Sequence, residues 1–517
     1  MAMVIESEIW QPPPWLYTFL VICCGGAIYG RFHVIHKRSR TVPQNLEPSS
    51  NSFMYLPLPF LSFQRSFLCI YFLASVAEAL QAVYGESLYQ QYGIGREDMA
   101  LLFAFGYFVS LLVGTFLGIA SDFLGRKKAC IVFCILHLIG CLARLFNKYH
   151  SLLMGTSSIS LASSLFSCTF ETWMTTEHDK LGFRQDWLSD TFWTMSFGAA
   201  ASSLGSAALA NTLVNWKGPH GMALPSAAAA VVAFVCAILI TKGWGENTAT
   251  SKIKTRKIVS SLAYLMADKR ILLLAWVQTC FDFAVTAFWF LWTPTIVADG
   301  REVHISMIYP CLMGSIMIGS VAASWLLCGP YFCRPELYLT AVFVTASFSL
   351  AIPAYDYQEI GLLVALFCLF NVCVGIISPS LARLRSIYVP NDLRASMMSL
   401  SRVPANAVIV FVLIKGGYYH NLDNSTVFTF CVIGLLTGAG CLHLLKRWSC
   451  VANGNLDIRC NRIFSLMSKL KGHQYGHWNL RLSIQMKEGV YFSSKDSRGI
   501  MVVELQSVNW KSSLVKM

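Results

Sequence analysis

Charge is scarce in this chain: Asp, Glu, Lys and Arg make up 13% of its 517 residues, too few to cover two or three water-soluble domains. Catalytic signatures are missing as well. No G-x-x-x-x-G-K-[ST] loop is present to cradle a nucleotide phosphate, and neither H-E-x-x-H nor G-x-S-x-G occurs, so ATP-driven pumping, zinc proteolysis and serine hydrolysis have no sequence support. The 11 His are dispersed without metal-ligand separations. The 18 Cys lack framework spacing and lie mostly inside apolar runs such as Val21-Ile22-Cys23-Cys24 and Leu366-Phe367-Cys368, where they read as small buried hydrophobes. No enzyme activity, cofactor or metal is therefore expected.

What the chain has instead is hydrocarbon. Hydrophobic residues reach 55% and aromatic residues 13%, and mean hydropathy is +0.54, values of a membrane protein. Apolar runs long enough to cross about 30 Å of bilayer core fall near 13–30, 67–90, 99–120, 129–146, 151–174, 190–214, 222–242, 271–298, 305–328, 337–354, 359–380, 396–415 and 427–446. The first follows Pro12-Pro13-Pro14 without the basic flank of a signal peptide, which favours a retained anchor over a cleaved leader. The other twelve divide six and six. The expectation is an all-α polytopic membrane protein: 1–66 anchor and linker, 67–242 first six-helix bundle, 243–270 central loop, 271–446 second bundle and 447–517 tail. Two such bundles enclosing a path suit alternating access, and no re-entrant filter segment suggests a channel.

Basic residues orient the chain. Segments 31–66, 121–128, 175–189, 243–270, 329–336 and 381–395 hold 20 Lys and Arg, against 4 in 91–98, 147–150, 215–221, 299–304, 355–358 and 417–426. The first set is expected to be cytoplasmic by the positive-inside rule. The formal charge of +13 is thereby explained as topology plus a basic tail. Lipid head groups are then the expected partner of these runs, and nucleic acid is not. The tail alternates polar and apolar residues at 479–486 and in parts of 499–508, as half-buried strands do, and carries no catalytic motif.

The sharpest local signal is Gly118-Ile-Ala-Ser-Asp122-Phe-Leu-Gly125-Arg126-Lys127-Lys128, which can be a charged stop between helices. Its spacing resembles the signature loop of the major facilitator superfamily of secondary transporters. That resemblance implies a fold of two six-helix bundles, here with one additional N-terminal span, and a gating role for Gly118, Asp122, Gly125, Arg126 and Lys127. Further runs are Phe170-Glu171-Thr-Trp173, Glu177-His178, Gly182-Phe183, Asp186-Trp187, Gly243-Trp244-Gly245-Glu246-Asn247, Asp282 before Phe290-Leu291-Trp292-Thr293-Pro294, and Arg402-Val403-Pro404-x-Asn406. Together they resemble the molybdate-anion transporter family over about residues 65–446. The family pattern has Glu where this chain has Asp282, so the carboxylate is kept with a shorter reach. The resemblance implies uptake of molybdate or a related oxyanion.

Charged side chains within the hydrocarbon face a cavity or a partner. Glu78, Asp282 and Glu171 are the candidate proton carriers, with Glu86 behind them; each can equally be a structural hydrogen-bonding group. An oxyanion needs converging donors, and an Arg fork with an amide supplies them. Arg402 and Asn406, one turn apart, are the first candidates, although Arg402 can also snorkel to the cytoplasm. Gln278, Asn371 and Tyr84 are further candidate pore-lining groups. Arg144 and Lys415 read as interfacial, and Trp289 and Trp292 as belt or packing residues.

Carboxylates and an anion repel in a narrow cavity, so proton-coupled symport is more coherent than uniport. Sulfate, a sugar or an amino acid would be alternative solutes, and a non-transporting receptor or scaffold the alternative of another class. The plasma membrane is the expected location, an intracellular membrane the alternative, and no obligate protein partner is implied.

Overall fold

The computed structural model describes residues 10–40, 58–217, 221–245, 267–297, 303–328, 335–355, 359–419, 422–471, 483–487, 489–496 and 499–505. Glu246, Asn247 and most of the expected central loop lie outside the described residues, as do 41–57. Among the described residues, an N-terminal helix, α1 (Pro14–Arg40), precedes twelve others. Six are α2 (Leu58–Gln91), α3 (Arg96–Phe123), α4 (Arg126–Ala143), α5 (Tyr149–Lys180), α6 (Gln185–Trp216) and α7 (Leu224–Gly243). The second six are α8 (Lys269–Ile296), α9 (Ile305–Leu327), α10 (Pro335–Tyr355), α11 (Ile360–Tyr388), α12 (Asn391–Tyr418) and α13 (Asn424–Trp448). All but α4 of these twelve are apolar over 18 residues or more. Helix α4 starts with Arg126, Lys127 and Lys128.

Each bundle has its own aromatic interior. In the first, Trp244 stacks on Trp173 with centroids 3.8 Å apart, and Phe67, Phe133 and Phe170 pack in the same cluster. In the second, Phe288 meets Phe367 edge-on and Phe370 at a tilt. Large apolar side chains such as Phe116, Val231, Phe348 and Trp325 point outward, the reverse of a water-soluble surface and the arrangement a bilayer requires. The bundles meet through α3 with α12 and through α6 with α9 and α11. Helix α1 packs on α9, where the Tyr17 hydroxyl donates to the Met307 carbonyl at 2.7 Å.

Three helices run further than their apolar windows suggest, and this corrects the reading of 175–189 and 381–395 as loops. Helix α5 continues to Lys180, α11 to Tyr388, and α12 begins at Asn391. His178, Arg383, Arg385 and Arg394 are consequently buried. Arg385 reaches Glu171 and Arg383 reaches the Gln185 carbonyl across the bundle interface, so the helices have no need to end where hydrocarbon ends.

Small residues let α9 and α11 touch. A Cβ on Gly319 would lie 2.1 Å from the Val372 carbonyl oxygen, and one on Gly375 2.2 Å from that of Ile316, so neither position admits a side chain without parting the backbones. Gly319→Val is expected to lower the detergent-solubilised thermal midpoint through overpacking of about 1–3 kcal/mol. Gly361→Val is the control, since nothing lies within 4 Å of a Cβ there, and it should leave the midpoint in place.

Residues 447–517 form a second unit. Its described part includes a three-stranded antiparallel sheet, β1 (Ser483–Lys487), β2 (Gly489–Asp496) and β3 (Gly499–Leu505), with Gln485 opposite Tyr491 and Phe492 opposite Val503. Of the alternating runs, 483–486 falls on β1 and 499–505 on β3, while 479–482 and 506–508 lie outside the described residues.

Candidate functional site

Between the bundles lies a cavity of about 1330 Å³. Its wall runs from Tyr84, Asn211, Thr293 and Ile305, near helix ends on one side, down to Glu171, Arg385, Met398 and Arg402. Beyond that floor, toward the end bearing the basic segments, the bundles are bonded together.

The floor is a chain of alternating charge and amide. Arg385 Nε and Nη2 donate to the two carboxylate oxygens of Glu171 at 2.9 and 2.6 Å. Its Nη1 donates to Gln278 Oε1 at 2.5 Å, and Gln278 Nε2 donates to Asp282 Oδ1 at 2.9 Å. Arg402 Nε stands 3.5 Å from Asp282 Oδ2. The two guanidinium groups are therefore held differently. Arg385 makes a bidentate fork at the distances of strong charge-assisted bonds and is nearly buried; Arg402 keeps one long contact, and a third of its side chain is open to the cavity. Asp282 Oδ2 has no hydrogen-bond partner among the described residues. Of the two guanidinium groups, that of Arg402 is the more open to the cavity.

The closed end is built around the glycine-rich turn. Gly125 sits at φ 116°, a left-handed conformation that glycine adopts without strain, and turns the chain from α3 into α4. The Asp122 carboxylate accepts from Ser396 N at 2.7 Å and Ser396 Oγ at 2.9 Å, joining the end of α3 to the first turn of α12. Arg126 bonds Asp122 at 3.3 Å and also donates to Thr176 Oγ1 and the Asn391 carbonyl. A Cβ on Gly118 would meet Ser399 Oγ at 1.7 Å. Lys127 lies elsewhere: its Nζ donates to the carbonyls of Thr241 and Trp244 at 3.0 and 2.6 Å, capping the end of α7 inside the first bundle. Further cross-bundle bonds run from Asn391 to Asp179 and from Arg383 to the Gln185 carbonyl.

Of the sequence candidates, Arg402, Gln278, Asp282, Glu171 and Tyr84 line the cavity, and all but Tyr84 join in the one network. Tyr84 pairs with Asn211 at 3.1 Å near the mouth. Glu78, Asn371 and Asn406 are not among the lining residues. Asn371 is fully buried and bonds the Phe367 carbonyl of its own helix. Asn406 reaches Ser110 of α3 at 3.4 Å. Glu78 turns into the first bundle, 3.7 Å from His137 Nδ1. Arg144 is not interfacial: it is buried, donates to Gln81 Oε1 at 2.6 Å and lies 5.3 Å over the Tyr89 ring. Trp289 and Trp292 form part of the cavity wall.

Arg385 is the main residue that sequence reasoning missed. The expected span ends at 380, and Arg383 and Arg385 are counted among the basic residues of segment 381–395. Ile377, Leu381 and Leu384, all fully buried, continue the helical period past that point, a signal that helix α11 extends through both.

Residues 48–374, more than half of the chain, match the profile of a family described as sugar transporters with 12 transmembrane segments. The chain belongs to that family. The transporter is 28% identical over 406 residues to the molybdate-anion transporter of Xenopus tropicalis, covering 77% of this chain and 88% of that protein. It is 28% identical over 391 residues to the molybdate-anion transporter of Danio rerio, covering 69% and 79%. Solved structures share its fold at low identity. The E. coli fucose:proton symporter superposes with TM-score 0.59 at 15% identity, covering 74% of this transporter and 98% of that chain. An outward-facing bacterial homologue of the iron transporter ferroportin gives 0.59 at 14%, covering 74% and 99%. The human organic anion transporter gives 0.56 at 12%, covering 73% and 99%. The fold is that of the major facilitator superfamily, with an extra N-terminal helix. The protein is a multi-pass secondary transporter working by alternating access, and its cavity is closed at the basic end.

Proposed function

We propose that the transporter carries a small oxyanion, molybdate in the first instance, and that a proton travels with it. The observation that carries this reading is the loosely held Arg402 at the cavity floor, 3.5 Å from Asp282. An anion and Asp282 compete for one guanidinium. Protonating Asp282 removes the competing charge and leaves Arg402 and Gln278 to the solute, so proton and anion enter together. The distant kinship with molybdate-anion transporters supports the same substrate class. In this reading the 20 basic residues mark the cytoplasmic side, the cavity mouth faces outside, and the plasma membrane is the site of uptake. Residues 67–242 and 271–446 act as the two moving bodies, with 243–270 as their connection, 1–66 as anchor and linker and 447–517 as a cytoplasmic tail.

A second reading has one observation of its own. The floor network pairs two arginines with two carboxylates and is neutral overall, while Trp289, Trp292, Tyr309 and Asn211 line the upper wall, a combination that suits a neutral polyhydroxyl solute. Purified protein in liposomes, given labelled molybdate, sulfate or hexose with and without an imposed proton gradient, separates the two. Saturable, gradient-stimulated molybdate uptake that excess hexose leaves unchanged is the expected result. Hexose uptake without molybdate uptake would overturn it.

A further inference from the structure

One charge near the closed end is poorly accounted for. Arg394 heads the α-helical part of α12 and is 2% exposed. It is the largest fully buried side chain in the described residues. Its one hydrogen bond among the described residues is a 3.5 Å contact from Nη2 to the Val389 carbonyl, and Nε and Nη1 have no hydrogen-bond partner there. A buried guanidinium with two unmet donor atoms is an expensive arrangement. Its value has to be sought in another state of the cycle.

Its position says which state. Met398 and Arg402 line the cavity, and Arg394 continues their four-residue stripe one turn further toward the closed end. At 1.5 Å per residue the rise from Arg402 to Arg394 is about 12 Å. The charged groups around Arg394 are Glu171 and Asp179 of α5, Arg126 of α4 and Arg385 of α11. Glu171 and Arg385 also form the cavity floor. Parting that pair as the bundles open removes the floor and uncovers Arg394 on the far side of it.

We propose that Arg394 is the anion-binding residue of the release side, a second oxyanion site that is sealed while the cavity mouth is open and presented when the basic end opens. The proposal rests on the anion reading above. In the sealed state the idle donors face protein. In the open state they meet the departing anion, whose transfer from Arg402 to Arg394 is a step between like sites along one helix.

The test compares the two faces of one preparation. Labelled molybdate exchange is measured in oriented liposomes, with substrate supplied either at the cavity-mouth side or at the basic side, for wild type, Arg394→Gln and Arg394→Lys. Arg394→Gln is expected to raise KM from the basic side by about tenfold or more, with KM from the mouth side within about twofold of wild type. Arg394→Lys keeps the charge without the fork and should fall between them, which also serves if the Gln variant does not fold. Unchanged KM on the basic side overturns the site. So does a rise there matched by an equal fall at the mouth, the mark of a residue that only biases the gate. Wild-type protein that exchanges no molybdate from either side would sink the anion reading itself, and this site with it.

Discussion

In Arg402→Gln, molybdate uptake is expected to fall by about one to two orders of magnitude at sub-saturating concentration, since the lost charge-assisted bonds contribute about 1.5–3 kcal/mol each. The variant also leaves Asp282 without its cation. Asp282 keeps its bond from Gln278, but its second oxygen, which accepts no hydrogen bond among the described residues, then loses its ion pair as well, so the folded yield should drop. Pairing the change with Asp282→Asn removes the orphaned charge. The double variant is expected to recover wild-type abundance and thermal midpoint and still not transport, which separates loss of the solute's cation from loss of fold. Arg402→Lys, which keeps charge and loses the fork, should retain part of the uptake. Wild-type affinity in Arg402→Gln would return Arg402 to the role of a residue snorkelling toward the helix end.

The architecture was legible because its cause is local. A run of about twenty apolar residues has one stable form in a bilayer, a helix whose backbone satisfies itself, and twelve such runs divided by a polar stretch leave few arrangements. The turn at Gly125 was legible for a similar reason, since a reversal with positive φ narrows the residue choice at that point. The candidate site was legible only by residue type. Glu78, Asp282, Asn371 and Arg402 are all polar groups in apolar helices, and composition cannot tell which of them faces the centre. Rotation of each helix decides it: Asp282 looks into the cavity, Glu78 toward His137, and Asn371 bonds its own helix. Arg385 was hidden by a different cause. Its burial depends on Glu171, 214 positions earlier in the chain, and no window centred on residue 385 contains that partner.

Charge balance at the floor also explains why the closed end holds. Glu171 and Arg385 join α5 to α11, Asp122 joins α3 to α12, and Asn391 joins α12 to Asp179 of α5. Each link crosses between bundles, and each must break for the basic end to open. Arg385 belongs both to this lock and, through Gln278, to the cavity floor. A change at Asp282 can therefore reach the gate through two hydrogen bonds, which is the coupling that alternating access needs.

The sharpest consequence concerns Asp282→Asn. The amide imitates the protonated acid and cannot release a proton, so Arg402 stays free for the anion in every state. Exchange of labelled for unlabelled molybdate should continue at a rate near wild type, while accumulation driven by an imposed proton gradient should fall to the level set by equilibration alone. Glu78→Gln is the comparison, because Glu78 is a carboxylate within a membrane-spanning helix that does not line the cavity; it is expected to keep gradient-driven accumulation. Both activities are measured on one reconstituted sample and normalised to folded protein. If Asp282→Asn still accumulates molybdate, Asp282 is not the proton carrier. If Glu78→Gln is the variant that exchanges without accumulating, the carrier is the Glu78–His137 pair inside the first bundle, and the proton then moves apart from the anion instead of competing with it for Arg402.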